Sequence, residues 1–152
     1  MFGERLTDGV ITLRRPRASD AESLVAGRDD EFRRFMGTGS PEPEPTAVVL
    51  DATLRIVGWI DYDVEREWLG LGEVNIGYST FPEHRGRGFA QRSLMLLLSV
   101  LAHDDEVTTA TLLIDPSNAP SMAVARRAGF ELQGEVDGQI LFKRRVRRTG
   151  TS

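Results

Sequence analysis

The sequence predicts an α/β fold: a mixed sheet, mostly antiparallel, that holds one parallel strand pair, with helices packed on it. Three observations predict it. Residues 73–114 read as strand, helix, strand, an order that requires the two strands to lie parallel. The segments on either side read as short strands, several joined by tight turns, which pair antiparallel. The chain has 152 residues, 40% hydrophobic and 28% charged, the size of one domain with enough apolar residues for a core. A single domain is expected over 1–146, with 147–152 a basic C-terminal tail.

Val10 to Arg14 alternates as a short strand. Ser19 is placed to cap a helix with an acidic first turn, and Leu24, Val25 and Phe32 continue its apolar face. Phe35 and Met36 close that region before Gly37-Thr38-Gly39-Ser40. In Pro41-Glu42-Pro43-Glu44-Pro45 alternating prolines forbid a helix and favour an extended loop. A second helix is left one turn or none. Thr46 to Leu50 and Arg55 to Val64 are strands joined near Asp51-Ala52-Thr53. In the second, Ile56, Gly58, Ile60, Tyr62 and Val64 share one face, with Val57, Trp59, Asp61 and Asp63 on the other.

A turn around Glu67 to Gly72 enters the central strand, where Val74, Ile76 and Tyr78 alternate with Glu73, Asn75, Gly77 and Ser79. Pro82, lacking an N–H, ends its pairing. Phe89 to His103 is a helix apolar on most sides, with Leu94, Leu97, Leu98 and Leu101 at helical spacing. His103 suits its end by the helix dipole. Thr108 to Ile114 reads as a β-branched buried strand. Asn118 caps the next helix, Pro120 lies in its first turn, and Gly129 ends it. Phe130 to Val136 and Gln139 to Val146 close the chain as a hairpin about Asp137-Gly138.

Arg85-Gly86-Arg87-Gly88-Phe89-Ala90 joins the central strand to the apolar helix. Two glycines at a helix entrance let the backbone approach a ligand, and the first-turn N–H groups have no partner within the helix. With the dipole and two arginines, the stretch suits a diphosphate. His84, just before it, reads as a solvated turn histidine.

The pattern R-x-x-G-x-A (Arg85, Gly88, Ala90), following a strand that ends in GYSTF, resembles the pyrophosphate-binding motif of the GNAT superfamily of acyl-CoA N-acyltransferases. Asn118-Ala119-Pro120-Ser121 followed by Gly129-Phe130 is similar to the branch of ribosomal-protein N-terminal (serine/alanine) acetyltransferases. Together the motifs cover residues 73–137. The resemblance implies helices on both faces of the sheet, and a splayed parallel pair that takes the pantetheine of acetyl-CoA as an extra strand partner. It implies direct acetyl transfer from this cosubstrate to a primary amine in a ternary complex, without a metal.

The same resemblance assigns residues. Arg85 to Ala90 would hold the diphosphate, and backbone N–H groups of Ser79, Thr80 and Phe81 the thioester and pantetheine. Asn118 would hold the cofactor arm, and Ser121 would hydrogen-bond the sulfur as thiolate leaves. The chain departs from the family pattern twice. The position of a frequent tyrosine is Ala125, and that of a glutamate on the central strand is Asn75, which cannot take a proton. Glu73, on the same strand face, is the candidate base, acting through water; otherwise solvent is the base.

Composition narrows the alternatives. There is no cysteine, hence no disulfide framework or thiolate metal site, and no His, Asp or Glu cluster has metal-ligand spacing. No apolar run is long enough for a bilayer and the N-terminus lacks signal-peptide character, so a cytoplasmic protein is expected. The net charge of −4 hides Lys143, Arg144, Arg145, Arg147 and Arg148; without them the chain sums to −9. This basic end reads as a last strand and solvated tail, and nucleic acid is not expected as a partner. An ATP-binding module lacks its lysine-containing phosphate loop. A non-catalytic acyl-CoA sensor of the same fold is the alternative to an enzyme. The amine acceptor and homodimer formation stay open.

Overall fold

The computed structural model describes residue 3 and residues 5–146, so Arg147, Arg148 and the expected tail lie outside the described residues. Eight strands form among the described residues: β1 (Arg5–Thr7), β2 (Thr12–Arg14), β3 (Ala47–Leu50), β4 (Ile56–Asp63), β5 (Glu73–Thr80), β6 (Thr109–Ile114), β7 (Glu131–Val136) and β8 (Gln139–Arg145). The helices are α1 (Ala21–Ala26), α2 (Asp30–Met36), α3 (Phe89–Leu101) and α4 (Ala119–Arg127). Hydrogen-bonded neighbours run β1-β2-β3-β4-β5-β6-β8-β7. The β5–β6 pair is parallel, while β1–β2, β2–β3, β3–β4, β6–β8 and β7–β8 are antiparallel. This is the predicted mixed sheet. The chain divides into two compact units, and β4, β5 and α3 each begin in one and end in the other.

One unit holds the described residues up to Asp61 together with Tyr78–Ser93. It opens with a strand the sequence reading missed, because Arg5-Leu6-Thr7 holds a single apolar residue and so shows no alternation. The turn after it is built by Asp8, whose carboxylate accepts from Val10 N and Ile11 N, both at 2.9 Å. The first helix also enters differently from expectation. A 3-10 turn at Ala18–Asp20 precedes α1, and Asp20 rather than Ser19 organises it. The buried Asp20 carboxylate accepts from Arg17 N at 2.7 Å and from both terminal nitrogens of Arg14, at 2.8 and 2.9 Å.

The single apolar face expected through Phe32 is broken at Gly27-Arg28-Asp29. Gly27 has no room for a side chain, since a Cβ there would collide with the Phe81 ring. Asp29 then starts α2 as its N-cap, accepting from Phe32 N at 2.9 Å. α2 runs seven residues, longer than the one turn the sequence allowed. Leu24, Val48, Leu50 and Phe81 form a buried cluster here, with Ile56 and Trp59 against it.

The other unit holds Tyr62–Gly77 and the described residues from Leu94 onward. Its β5–β6 register runs Glu73↔Thr109, Val74↔Ala110 and Asn75↔Thr111, three pairs between strands of eight and six residues. Leu94, Leu97, Leu98 and Leu101 of α3 are buried, as their spacing predicts. α3 stops at Leu101, leaving His103 in the turn beyond it. α4 ends in the left-handed cap expected at Gly129, whose φ is +83°. Gly129 N donates to Arg126 O at 3.0 Å and Phe130 N to Ala125 O at 2.9 Å, which satisfies carbonyls that the helix end would strand. The closing hairpin turns at Asp137 and Gly138, both with positive φ, as a type I′ turn requires.

Candidate functional site

The glycine loop begins where β5 runs out. Pro82–His84 forms a 3-10 turn, then Arg85 to Gly88 lead into α3 at Phe89. Gly86 and Gly88 have φ of +77° and +79°, a region that side chains with a Cβ rarely enter. Nothing lies within 4 Å of where their Cβ atoms would be, so the backbone faces open space at both positions. A loop of this kind before a helix of 13 residues can present N–H groups to an anion, and the residues present fit a diphosphate. Gly86, Arg87 and Gly88 are exposed, while Phe89 and Ala90 are half-buried at the helix start.

The two arginines differ. Arg87 makes no ion pair or hydrogen bond among the described residues. Arg85 is committed: its Nε donates to Thr80 O at 3.0 Å, and its terminal nitrogens reach the Asp29 carboxylate at 2.7 and 3.1 Å. Glu31 adds a second carboxylate, with its Oε2 at 2.6 Å. The hydrogen-bonded guanidinium draws the Asp29 carboxyl down to about 2. Arg85 in turn is raised above its usual value, first by its bond to Asp29.

At the end of β5 the expected backbone donors divide as well. Phe81 N donates to Val57 O at 2.8 Å, and the Phe81 ring is buried in the apolar cluster. That N–H is engaged by β4 in the present structure, while Ser79 and Thr80 are the last two residues of β5. A Cβ on Gly58 would collide with Ser79 O, so this glycine permits close approach of β4 to the end of β5. His84 departs from expectation. It is 5% exposed rather than solvated, and its Nδ1 has no hydrogen-bond partner among the described residues.

In the other unit, Asn118 caps α4 by accepting from Ser121 N at 3.3 Å, which fixes the two residues one turn apart. The Ser121 hydroxyl makes no hydrogen bond among the described residues and is half-buried. Ala125, four residues on, shares its helix face and is fully buried. Asn75 is buried with its Oδ1 3.1 Å from Thr111 Oγ1, a partner across the parallel pair. Glu73 is bound on both oxygens, to Lys143 Nζ at 2.7 Å and Gly70 N at 2.8 Å. The Lys143 contact is the first cause that lowers its pKa, which makes it a weaker proton acceptor.

Sequence reasoning missed Asp29, Glu31 and Lys143. Asp29-Asp30-Glu31 carries a local signal, but that signal is for a helix start, not for an arginine 56 residues away. No group of three or more His, Cys, Asp or Glu among the described residues could hold a metal ion. Nor is any described helix long and apolar enough to cross a membrane.

Residues 11–131 match the family model of the acetyltransferase (GNAT) domain. No curated protein matches the sequence. Solved structures of similar fold include RimJ of Mycobacterium smegmatis in complex with CoA-disulfide, at 20% identity and TM-score 0.75, covering 95% of this chain and 86% of that one. A ribosomal-protein-S5-alanine acetyltransferase from Vibrio fischeri superposes with TM-score 0.77 at 17% identity, over 93% of this chain and 96% of its own. An aminoglycoside acetyltransferase in complex with coenzyme A gives 0.75 at 18% identity, over 89% and 94%.

Proposed function

The chain belongs to the GNAT acetyltransferase family, and from that premise we propose that it is an acetyl-CoA-dependent N-acyltransferase with one catalytic domain over 1–146 and a basic tail after it. The observation that carries this reading is the loop from Arg85 to Ala90. It combines two left-handed glycines in open space with a helix start and an arginine, Arg87, that has no partner among the described residues. In the reaction the acceptor amine attacks the thioester carbonyl, the amine nitrogen gains the acyl group and loses a proton, and the thiolate of CoA departs. The loop amides and Arg87 hold the diphosphate. Ser79 and Thr80 backbone groups serve the thioester and pantetheine, Asn118 the cofactor arm, and Ser121 Oγ donates to the departing sulfur.

The sequence left the base open between Glu73 and solvent. Two partners on the Glu73 carboxylate favour solvent, which takes the amine proton in this reading. Solvent suffices best for an α-amine, since about a tenth of such groups are already neutral near pH 7 against well under a thousandth of lysines. A peptide N-terminus is therefore the acceptor class preferred, in the cytoplasm. That class accords with the similar fold of the ribosomal-protein-S5-alanine acetyltransferase, a protein named for a protein acceptor.

A second reading has its own support. Asn75 bound to Thr111, Ala125 buried in the helix and Glu73 paired with Lys143 leave few proton-transfer groups, as in a non-catalytic acyl-CoA sensor. Thiol release from acetyl-CoA separates the two, measured against peptide N-termini, polyamines, aminoglycosides and amino acids. Acceptor-dependent release establishes the enzyme. Tight acetyl-CoA binding without release under any acceptor establishes the sensor.

A further inference from the structure

Arg85 occupies the first position of the glycine loop, yet its side chain is turned to protein. Of its five N–H donors, that on Nε goes to Thr80 O, and Nη1 and Nη2 donate to Asp29, with Glu31 also against Nη1. One guanidinium between two carboxylates leaves the cluster with a net charge of −1. The charge of Arg85 is thereby spent within the protein, while Arg87 nearby is exposed and makes no ion pair among the described residues.

Asp29 sits in the three-residue turn between α1 and α2, and its neighbours are fastened too. Gly27 lies against the Phe81 ring, and Arg28 donates to Ser40 O at 2.6 Å and stacks on Phe32 at 5.2 Å. The turn thus holds the end of β5, the start of the glycine loop and the loop before β3. Asp29 is also bound as a cap by Phe32 N, so it cannot swing away without undoing α2.

We propose that Asp29 is a positioning residue for acyl-CoA, gripping Arg85 so that the Gly86–Gly88 backbone is held in the conformation that receives the diphosphate. Arg85 is then an internal fastener and Arg87 the cation that meets the ligand. The inference rests on the acyl-CoA reading given above.

Calorimetry with Asp29→Asn and, separately, Glu31→Gln tests it, using acetyl-CoA and S-acetylpantetheine, which lacks the diphosphate. Asparagine keeps the helix cap, so Asp29→Asn removes charge without removing the helix start. The expected result is an acetyl-CoA Kd raised about threefold to tenfold in Asp29→Asn, as for a partly buried ion pair, with S-acetylpantetheine binding unchanged. Glu31→Gln shifts it in the same direction by less, and Arg85→Ala combined with Asp29→Asn is no worse than Arg85→Ala alone. Unchanged or tighter acetyl-CoA binding in both single variants overturns the inference, since carboxylates competing with the ligand for Arg85 would give tightening. Equal loss for both ligands also overturns it, as general loosening. Wild-type protein that binds no acetyl-CoA refutes the acyltransferase reading, and the inference with it.

Discussion

Ser121 and Glu73 are each placed by a single contact pattern that decides what the side chain can do. The Ser121 amide is spent on the Asn118 cap while its hydroxyl is left available. A hydrogen bond to sulfur matters most as negative charge builds there, so Ser121→Ala is expected to lower kcat more than it raises KM for acetyl-CoA. The deficit is about ten- to a hundredfold, from ~1.5–3 kcal/mol for a charge-assisted bond. Equal turnover of variant and wild type at saturating substrate removes the serine from the mechanism. For Glu73 the pairing with Lys143 predicts a Glu73→Gln enzyme whose pH–rate profile follows wild type. A variant that loses most activity toward a lysine-like amine at pH 7, and regains it as pH rises, instead makes Glu73 the base.

At the level of elements, local backbone requirements govern the glycine loop and a buried ion pair governs the entry to α1. Gly88→Glu would put a negative side chain into the open space at the loop, and at a φ it adopts only with strain. A folded Gly88→Glu protein is expected to lose measurable acetyl-CoA binding by calorimetry; unchanged affinity moves the diphosphate elsewhere. The Arg14–Asp20 pair ties β2 to the turn before α1, with side chains only 10% and 6% exposed. Asp20→Ala strands a buried guanidinium and leaves Arg17 N without its acceptor. Chemical denaturation should show a loss of about 3–5 kcal/mol. A loss below about 1 kcal/mol would mean that water reaches Arg14 once its partner is gone.

Across the whole molecule, paired carboxylates set the response to acid. Asp20, Asp29 and Glu73 have pKa values lowered first by hydrogen bonds to Arg14, Arg85 and Lys143. A carboxyl whose folded pKa lies below its unfolded value of about 4 contributes stability that is full above that value. The contribution is lost as pH falls through the folded value, which for Asp29 is about 2. Denaturation midpoints should therefore hold from these groups between about pH 7 and 5, then drop from about pH 4 toward 2. Asp20→Asn and Asp29→Asn should each flatten part of that drop. A midpoint that is level down to about pH 2 would show that the three carboxylates are equally shifted in the unfolded chain.

What the sequence determined by itself is what one stretch of backbone must satisfy alone. Alternating residues marked the strands, Asn118 and Gly129 marked the ends of α4, and Asp137-Gly138 marked the hairpin. The glycine loop was equally legible, because left-handed φ and a helix start are local conditions. β1 escaped, since Leu6 is its one apolar residue and no alternation surrounds it. Only the tertiary structure decided which charged and polar groups meet. It gave Arg85 a partner 56 residues away and Glu73 one 70 residues away, spent the Phe81 amide on Val57, and buried His84. An arginine beside a glycine loop looks the same in sequence whether it faces a ligand or a carboxylate. Coulomb attraction and desolvation act through space, so the partner depends on how distant segments pack.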